Sequence, residues 1–192
     1  MRQLKQIFSL LFSFAPWIAF LILAGPSLLR LKIAVVVASV ITIAMWIGKF
    51  QKGIILWGSV LFFSWALIAI IGLQHMWTIR HLGVLSNGTL AAMTIISMLI
   101  RKPFTIEYAK AKTSPDRWTS PLFIKTNYVL TGVWGAVFLI NMALSSLEMN
   151  APSVDKGVYE MATYSFMFVA VLFSTFYPDF MKRRAQERAS II

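Results

Sequence analysis

The sequence predicts an all-α, polytopic transmembrane helical bundle of six spans, on three observations. Hydrophobic residues make up 58% of its 192 residues. Charged residues make up only 13%, about half the share found in ordinary soluble domains. The apolar residues gather into six runs, at 7–24, 31–48, 54–73, 82–100, 128–147 and 158–177. Each approaches the ~20 residues that cross ~30 Å of hydrocarbon as a helix. The bilayer core offers no water to backbone N–H and C=O groups, so each run must satisfy its own backbone as a helix; nothing suggests the ten-residue alternation of barrel strands.

The first run follows Arg2 and Lys5 and resembles a signal peptide, but it exceeds the 7–15 residues of a signal core and has Ile22 where a small residue would precede cleavage after Ala24. It is read as an uncleaved first span. The alternative is five spans plus an N-terminal re-entrant segment broken at Gly25-Pro26. The second run is short, and Arg30, Lys32 and Lys49 at its ends extend its reach by snorkelling. Trp46, Trp57, Trp77, Trp118, Tyr128, Tyr159 and Tyr177 fall near run ends, where amphipathic rings suit the headgroup level. Trp17, Trp65 and Trp134 fall deeper and are expected between helices. Ala34, Ala38, Ala44, Ser86, Gly88, Gly132 and Gly135 would let helices approach closely.

Between the fourth and fifth runs, the loop 101–125 holds six of the eighteen Lys and Arg residues. With six spans, one side of the membrane receives fourteen cations: Arg2, Lys5, Lys49, Lys52, the loop's six, and Lys182, Arg183, Arg184 and Arg188 in the basic tail 179–192. The other side receives Arg30, Lys32, Arg80 and Lys156. This asymmetry places both termini in the cytoplasm by the positive-inside rule. It also assigns the net charge of +11 to anionic headgroups rather than to nucleic acid.

Inside the loop, Pro103 marks the end of the fourth span or the first turn of a new helix. Phe104, Tyr108 and Ala111 recur at helical spacing, with Glu107 and Lys110 on a more polar face, as in a short interfacial helix; Phe104, Ile106 and Tyr108 equally fit an extended segment. Ser114-Pro115 and Ser120-Pro121 read as turn or helix-start signals, and Trp118 between them as a surface anchor. The candidate contacts for lipid or a partner are Arg101, Lys102, Lys110, Lys112, Arg117, Trp118, Lys182, Arg183 and Arg184. A candidate polar path through the last three spans runs by Asn87, Asn127, Thr131 and Asn141. Interhelical hydrogen bonds would otherwise occupy these groups and the hydroxyls of Thr89, Thr94 and Ser97.

Chemistry is sparse. Cysteine is absent, which excludes disulfides, thiolate metal sites and Cys nucleophiles. His75 and His81, six apart, have no further ligands nearby. Glu160 is expected in the first turn of the last span as a dipole partner, and Asp179 in solvent. No phosphate-binding glycine loop, HExxH or paired carboxylates occur, so no catalytic residue and no cofactor is expected.

The chain resembles the bacterial intracellular septation protein A family of inner-membrane-spanning proteins. The resemblance runs through Phe14-Ala15-Pro16, Trp46 followed by basic residues, Arg101-Lys102-Pro103, Trp118, then Asn127, Trp134, Phe138 and Asn141. It implies an inner-membrane protein of cell-envelope maintenance and cell division that works through protein contacts rather than catalysis; the basic residues add anionic membrane lipids to membrane or division proteins as expected partners. The competing expectation is a transporter of a small solute or lipid along the polar path.

Overall fold

A computed structural model describes Phe12 and residues 14–25, 27–50, 53–110, 113–151 and 155–189. Arg2, Lys5, Lys52 and Lys112 lie outside the described residues, as do Pro26, Ala111 and six residues of the first predicted run, 7–11 and 13. All regular secondary structure among the described residues is helical, and five of these helices are long and apolar enough to cross a membrane.

Helix α1 spans Ala15–Leu23, with Pro16 in its first turn, where its missing N–H costs no hydrogen bond. Helix α2, Leu28–Ile47, begins at Ser27, whose Oγ accepts from the Arg30 N–H at 3.2 Å. Its fully buried Ala34 and Ala38 sit one turn apart, a small-residue face that lets α1 lie close. Helix α3 runs Ile54–Ala66 and continues as a π-helical turn, Leu67–Gly72, which together match the run expected at 54–73. Helix α4, Met76–Leu99, starts six residues before its apolar run, because the backbone ladder continues through the polar turn containing Arg80.

The basic loop holds a short helix α5, Thr105–Lys110, and a single 3-10 turn, Pro115–Arg117. This resolves the helical and extended alternatives after Pro103 in favour of the helix. Helix α6, Pro121–Asn150, starts at Ser120, whose Oγ accepts from Phe123 N–H at 3.2 Å. Its 30 residues extend about 45 Å, well beyond the hydrocarbon. Helix α7, Lys156–Ala189, runs straight past the expected stop at Tyr177, with Pro178 inside it. The helix-forming residues Met181 to Arg184 carry it onward. The carbonyl that Pro178 deprives of a donor belongs to Ser174, in the turn where α7 meets Trp134 of α6.

Antiparallel α4 and α6 form the main seam. Gly83 faces Ser145, Gly88 faces Met142, and Gly135 faces Thr94. Helix α7 packs on the outer side of α6, and most of its apolar residues are exposed, as lipid would require. Helix α1 is the wedge that joins the two halves. Phe14 stacks on Trp134 with centroids 5.6 Å apart and meets Phe104 edge-on at 5.8 Å. One turn on, Trp17 stacks on Phe62 at 4.9 Å and donates its indole N–H to Ser59 Oγ at 2.7 Å. Phe20 completes the contact with Phe62 and Phe63 of α3.

Trp17 and Trp134 are thus buried as expected, but Trp65 is not. It is 40% exposed on the wall of a groove between α3 and α4. A bilayer is as apolar as the core, so hydrophobicity does not decide which way such a ring faces.

Candidate contact surface at the basic end

Residues 48–50, 53, 101–110 and 113–120 lie at one end of the bundle, here the basic end. Phe12 meets Phe50 edge-on at 6.2 Å, and Phe14 meets Phe104, so the start of α1 lies there too. The other end carries the turns around Gly25, Gln74 and Ala151.

Two helix ends build this surface in the same way. At the end of α2, Lys49 N–H donates to Trp46 O at 3.2 Å and Phe50 N–H to Met45 O at 3.1 Å. At the end of α4, Arg101 N–H donates to Met98 O at 3.0 Å and Lys102 N–H to Ser97 O at 2.9 Å. Both are Schellman closures, which need a left-handed residue after the cap, usually glycine. Here Lys49 and Arg101 occupy it, at φ 53° and 57°. Each puts a cation beside the negative end of a helix dipole, at the cost of backbone strain.

The loop beyond is anchored from within. Phe104 is 2% exposed, and its N–H donates to Ser97 Oγ at 3.3 Å. Buried Thr105 donates to Asn127 O at 2.9 Å, and its Oγ1 lies 2.9 Å from Thr131 Oγ1. Arg101, Lys102 and Lys110 therefore project from a backbone fixed to α4 and α6, and these three and Arg117 are exposed. Trp118 is folded back rather than extended as an anchor. Its indole N–H donates to Thr113 O at 2.8 Å, and Lys110 Nζ sits 5.3 Å from the ring centroid, a cation–π contact. Arg117 lies 3.9 Å from Asp116. The Asp116 carboxyl is held below the usual carboxylate range, chiefly by its side-chain hydrogen bond to Ser114, with smaller help from its own backbone and from Arg117.

Lys182, Arg183 and Arg184 are exposed on the last turns of α7, where Lys182 lies 3.8 Å from Asp179. Among the described residues no ion pair joins this cluster to the loop.

The four residues of the expected polar path fall along the α4–α6 seam. Asn127 and Thr131 belong to the anchor of the basic loop, and Asn127 Nδ2 donates to Phe123 O at 2.8 Å. Half-buried Asn87 donates to Gly83 O at 3.0 Å and to Ser145 Oγ at 3.4 Å. Asn141 is fully buried, and neither its Oδ1 nor its Nδ2 has a hydrogen-bond partner; Asn127 Oδ1 also lacks one. The hydroxyls expected to bridge helices mostly turn inward on their own: Thr89 donates to Leu85 O, Thr94 to Leu90 O and Ser97 to Thr94 O. A hydroxyl that bonds the preceding turn is satisfied without needing a neighbour at the right height.

Two concavities among the described residues bear on the site. An open, almost wholly apolar groove of ≈ 450 Å³ lies between α3 and α4, beside Gly58 and Met93. A cavity of ≈ 230 Å³ at the basic end is lined by Gly53, Ile54, Ile55, Ile100, Lys102, Phe104, Glu107 and Tyr108. None of the four path residues lines either one. Glu107, expected on a polar helix face, lines this cavity beside Gly53, which is more than fifty residues away in sequence.

His75 shares a 2.8 Å hydrogen bond with Thr78 Oγ1, and His81 stacks on Trp77 at 4.3 Å with Nδ1 2.8 Å from its carbonyl oxygen. Among the described residues no three His, Asp or Glu side chains come together as metal ligands would. Glu160 is exposed. No protein-family model matches this chain, and no curated protein or solved structure shows a significant match to it.

Proposed function

We propose that this chain is a six-span bacterial inner-membrane protein, with both termini in the cytoplasm, that serves cell-envelope maintenance or septation without catalysis, through lipid and protein contacts at its basic end. The observation that carries this reading is the buried anchor of the basic loop. A loop needed only as a charge signal for topology gains nothing from a buried Phe104 and a Thr105–Asn127–Thr131 network. A contact surface does, because side chains fixed before encounter lose less freedom on binding. The sixth span rests on α1, whose start lies at the basic end beside Phe50 and Phe104 and whose far end turns into α2. The septation role rests on the residue pattern from Arg101-Lys102-Pro103 to Asn141.

The test is replacement of Arg101, Lys110 and Arg117 by Gln, followed by cross-linking in cells and by flotation with vesicles containing anionic lipid. The expected result is normal insertion with loss of cross-linked partners and of the anionic-lipid preference. Unchanged cross-links and unchanged flotation would refute it.

Asn141 favours a second reading, transport of a small solute or lipid. Its two unpartnered amide atoms call for water or a polar ligand inside the bundle. Flux into proteoliposomes that Asn141→Leu abolishes would support it, and flux equal to that of empty vesicles would dismiss it.

A further inference from the structure

The cavity at the basic end brings together two opposite charges that do not meet. Lys102 and Glu107 both line it, yet no ion pair joins them. Each is placed by fixed backbone: Lys102 by the closure onto Ser97 O, and Glu107 by a helix whose first residue, Thr105, is buried and hydrogen-bonded. Gly53 lines the cavity beside Glu107. A Cβ there would come within 3.4 Å of the Glu107 carboxyl carbon, and φ of +79° already disfavours any side chain. Ile54, Ile55, Ile100 and Phe104 give the wall an apolar side, and Tyr108 completes the lining.

We infer that this cavity binds the phosphoethanolamine headgroup of a membrane phospholipid, its phosphate on Lys102 and its primary ammonium on Glu107. The inference rests on the proposed function, which puts the basic end among headgroups. A primary ammonium donates three hydrogen bonds to a carboxylate, and a phosphate oxygen accepts from a lysine ammonium. A choline headgroup has no N–H to donate. A phosphoglycerol headgroup has no cation, so with its phosphate on Lys102 it leaves the Glu107 carboxylate without a counter-charge. The apolar wall suits the first methylenes below the glycerol.

The test uses the full chain in nanodiscs of mixed phosphatidylethanolamine, phosphatidylcholine and phosphatidylglycerol, with the lipids that remain bound counted by native mass spectrometry. The wild type should retain phosphatidylethanolamine over phosphatidylcholine by about tenfold, the size of one charged hydrogen-bonded pair. Glu107→Gln should bring that ratio to about one, and Lys102→Gln should lower retention of both. Glu107 and Lys102 are exposed, so both variants should keep the wild-type melting temperature. Excess soluble phosphoethanolamine should leave the ratio unchanged if the occupant is a lipid held also by its glycerol end. A wild-type ratio of one, a ratio unchanged by Glu107→Gln, or displacement by the soluble headgroup would overturn the inference. If that happens while Arg101 and Arg117 substitutions still abolish partner cross-links, the contact-surface reading survives its loss.

Discussion

Two glycines one turn apart on α6 should respond to the same substitution with opposite signs. A Cβ on Gly135 would lie 2.9 Å from Thr94 Cγ2 and 3.7 Å from Thr94 Cβ. Carbon atoms rest at 3.5–4.0 Å, so α4 and α6 would have to part by about 0.6 Å or more. Thr94 cannot swing its methyl aside, because its Oγ1 is committed to Leu90 O at 2.8 Å and its χ1 is stiff. Gly135→Ala is therefore expected to destabilise by about 1–3 kcal/mol, the usual range for overpacking a tight contact. At Gly132 the nearest atom is Met98 Cε at 4.0 Å, an ordinary contact with a flexible side chain. Gly132→Ala should be neutral or stabilise by up to about 1 kcal/mol through helix propensity. Adding Thr94→Ala to Gly135→Ala removes the obstructing methyl and should recover most of the loss, a coupling that a double-mutant cycle reads directly. The assay is reversible unfolding in mixed micelles followed by tryptophan emission. Equal effects at the two glycines, or no recovery with Thr94→Ala, would refute the packing argument.

Three other predictions concern the ends of the helices and the α1 wedge. Arg101→Gly should raise stability by about 1 kcal/mol by relieving the left-handed backbone, while lowering flotation with anionic vesicles; a loss of stability would show that the charge at the helix end outweighs the strain. Ser59→Ala strands the buried Trp17 indole N–H and should cost about 1–3 kcal/mol, measured as a lower unfolding midpoint that Trp17→Phe in the same chain partly restores. The Asp116 carboxyl, followed by carbon-13 NMR, should titrate below the ordinary carboxylate range, with Ser114→Ala raising its midpoint more than Arg117→Gln does. Because its native pKa is lowered, its small contribution to the loop is complete above the unfolded-state pKa and is lost as pH falls through the native one.

The sequence marked where helices cross more clearly than how they pack. The runs at 31–48 and 54–73 correspond closely to Leu28–Ile47 and Ile54–Gly72, because hydropathy measures the hydrocarbon and these helices nearly end with it. Helices α4, α6 and α7 outrun their apolar stretches, since backbone hydrogen bonding does not stop where lipid does. Partner choice was illegible for a different reason. Helices that are apolar all round carry no stripe to distinguish core from lipid, so Trp65 and Trp134 look alike in sequence. Small residues were the better signal, and Gly88 and Gly135 do sit on the α4–α6 seam. The cations of the contact surface were visible from charge asymmetry alone. Its Schellman closures were not, because the usual glycine is replaced by Lys49 and Arg101. Nor was the facing of Lys102 and Glu107 across a cavity that Gly53 completes, since only the fold brings residue 53 to them.

The wedge of α1 also sets an order of assembly. Phe14 is synthesised about 120 residues before Trp134, the ring on which it finally stacks. At about 5–20 residues per second, that is a wait of roughly 6–24 s. During this interval α1 can engage α2 and α3 through Ala34, Ser59 and Phe62, but half of its aromatic face has no partner except lipid or the insertion machinery. The two halves of the bundle therefore close only once α6 emerges, and α1, made before every other helix described above, is among the last to reach its final neighbours.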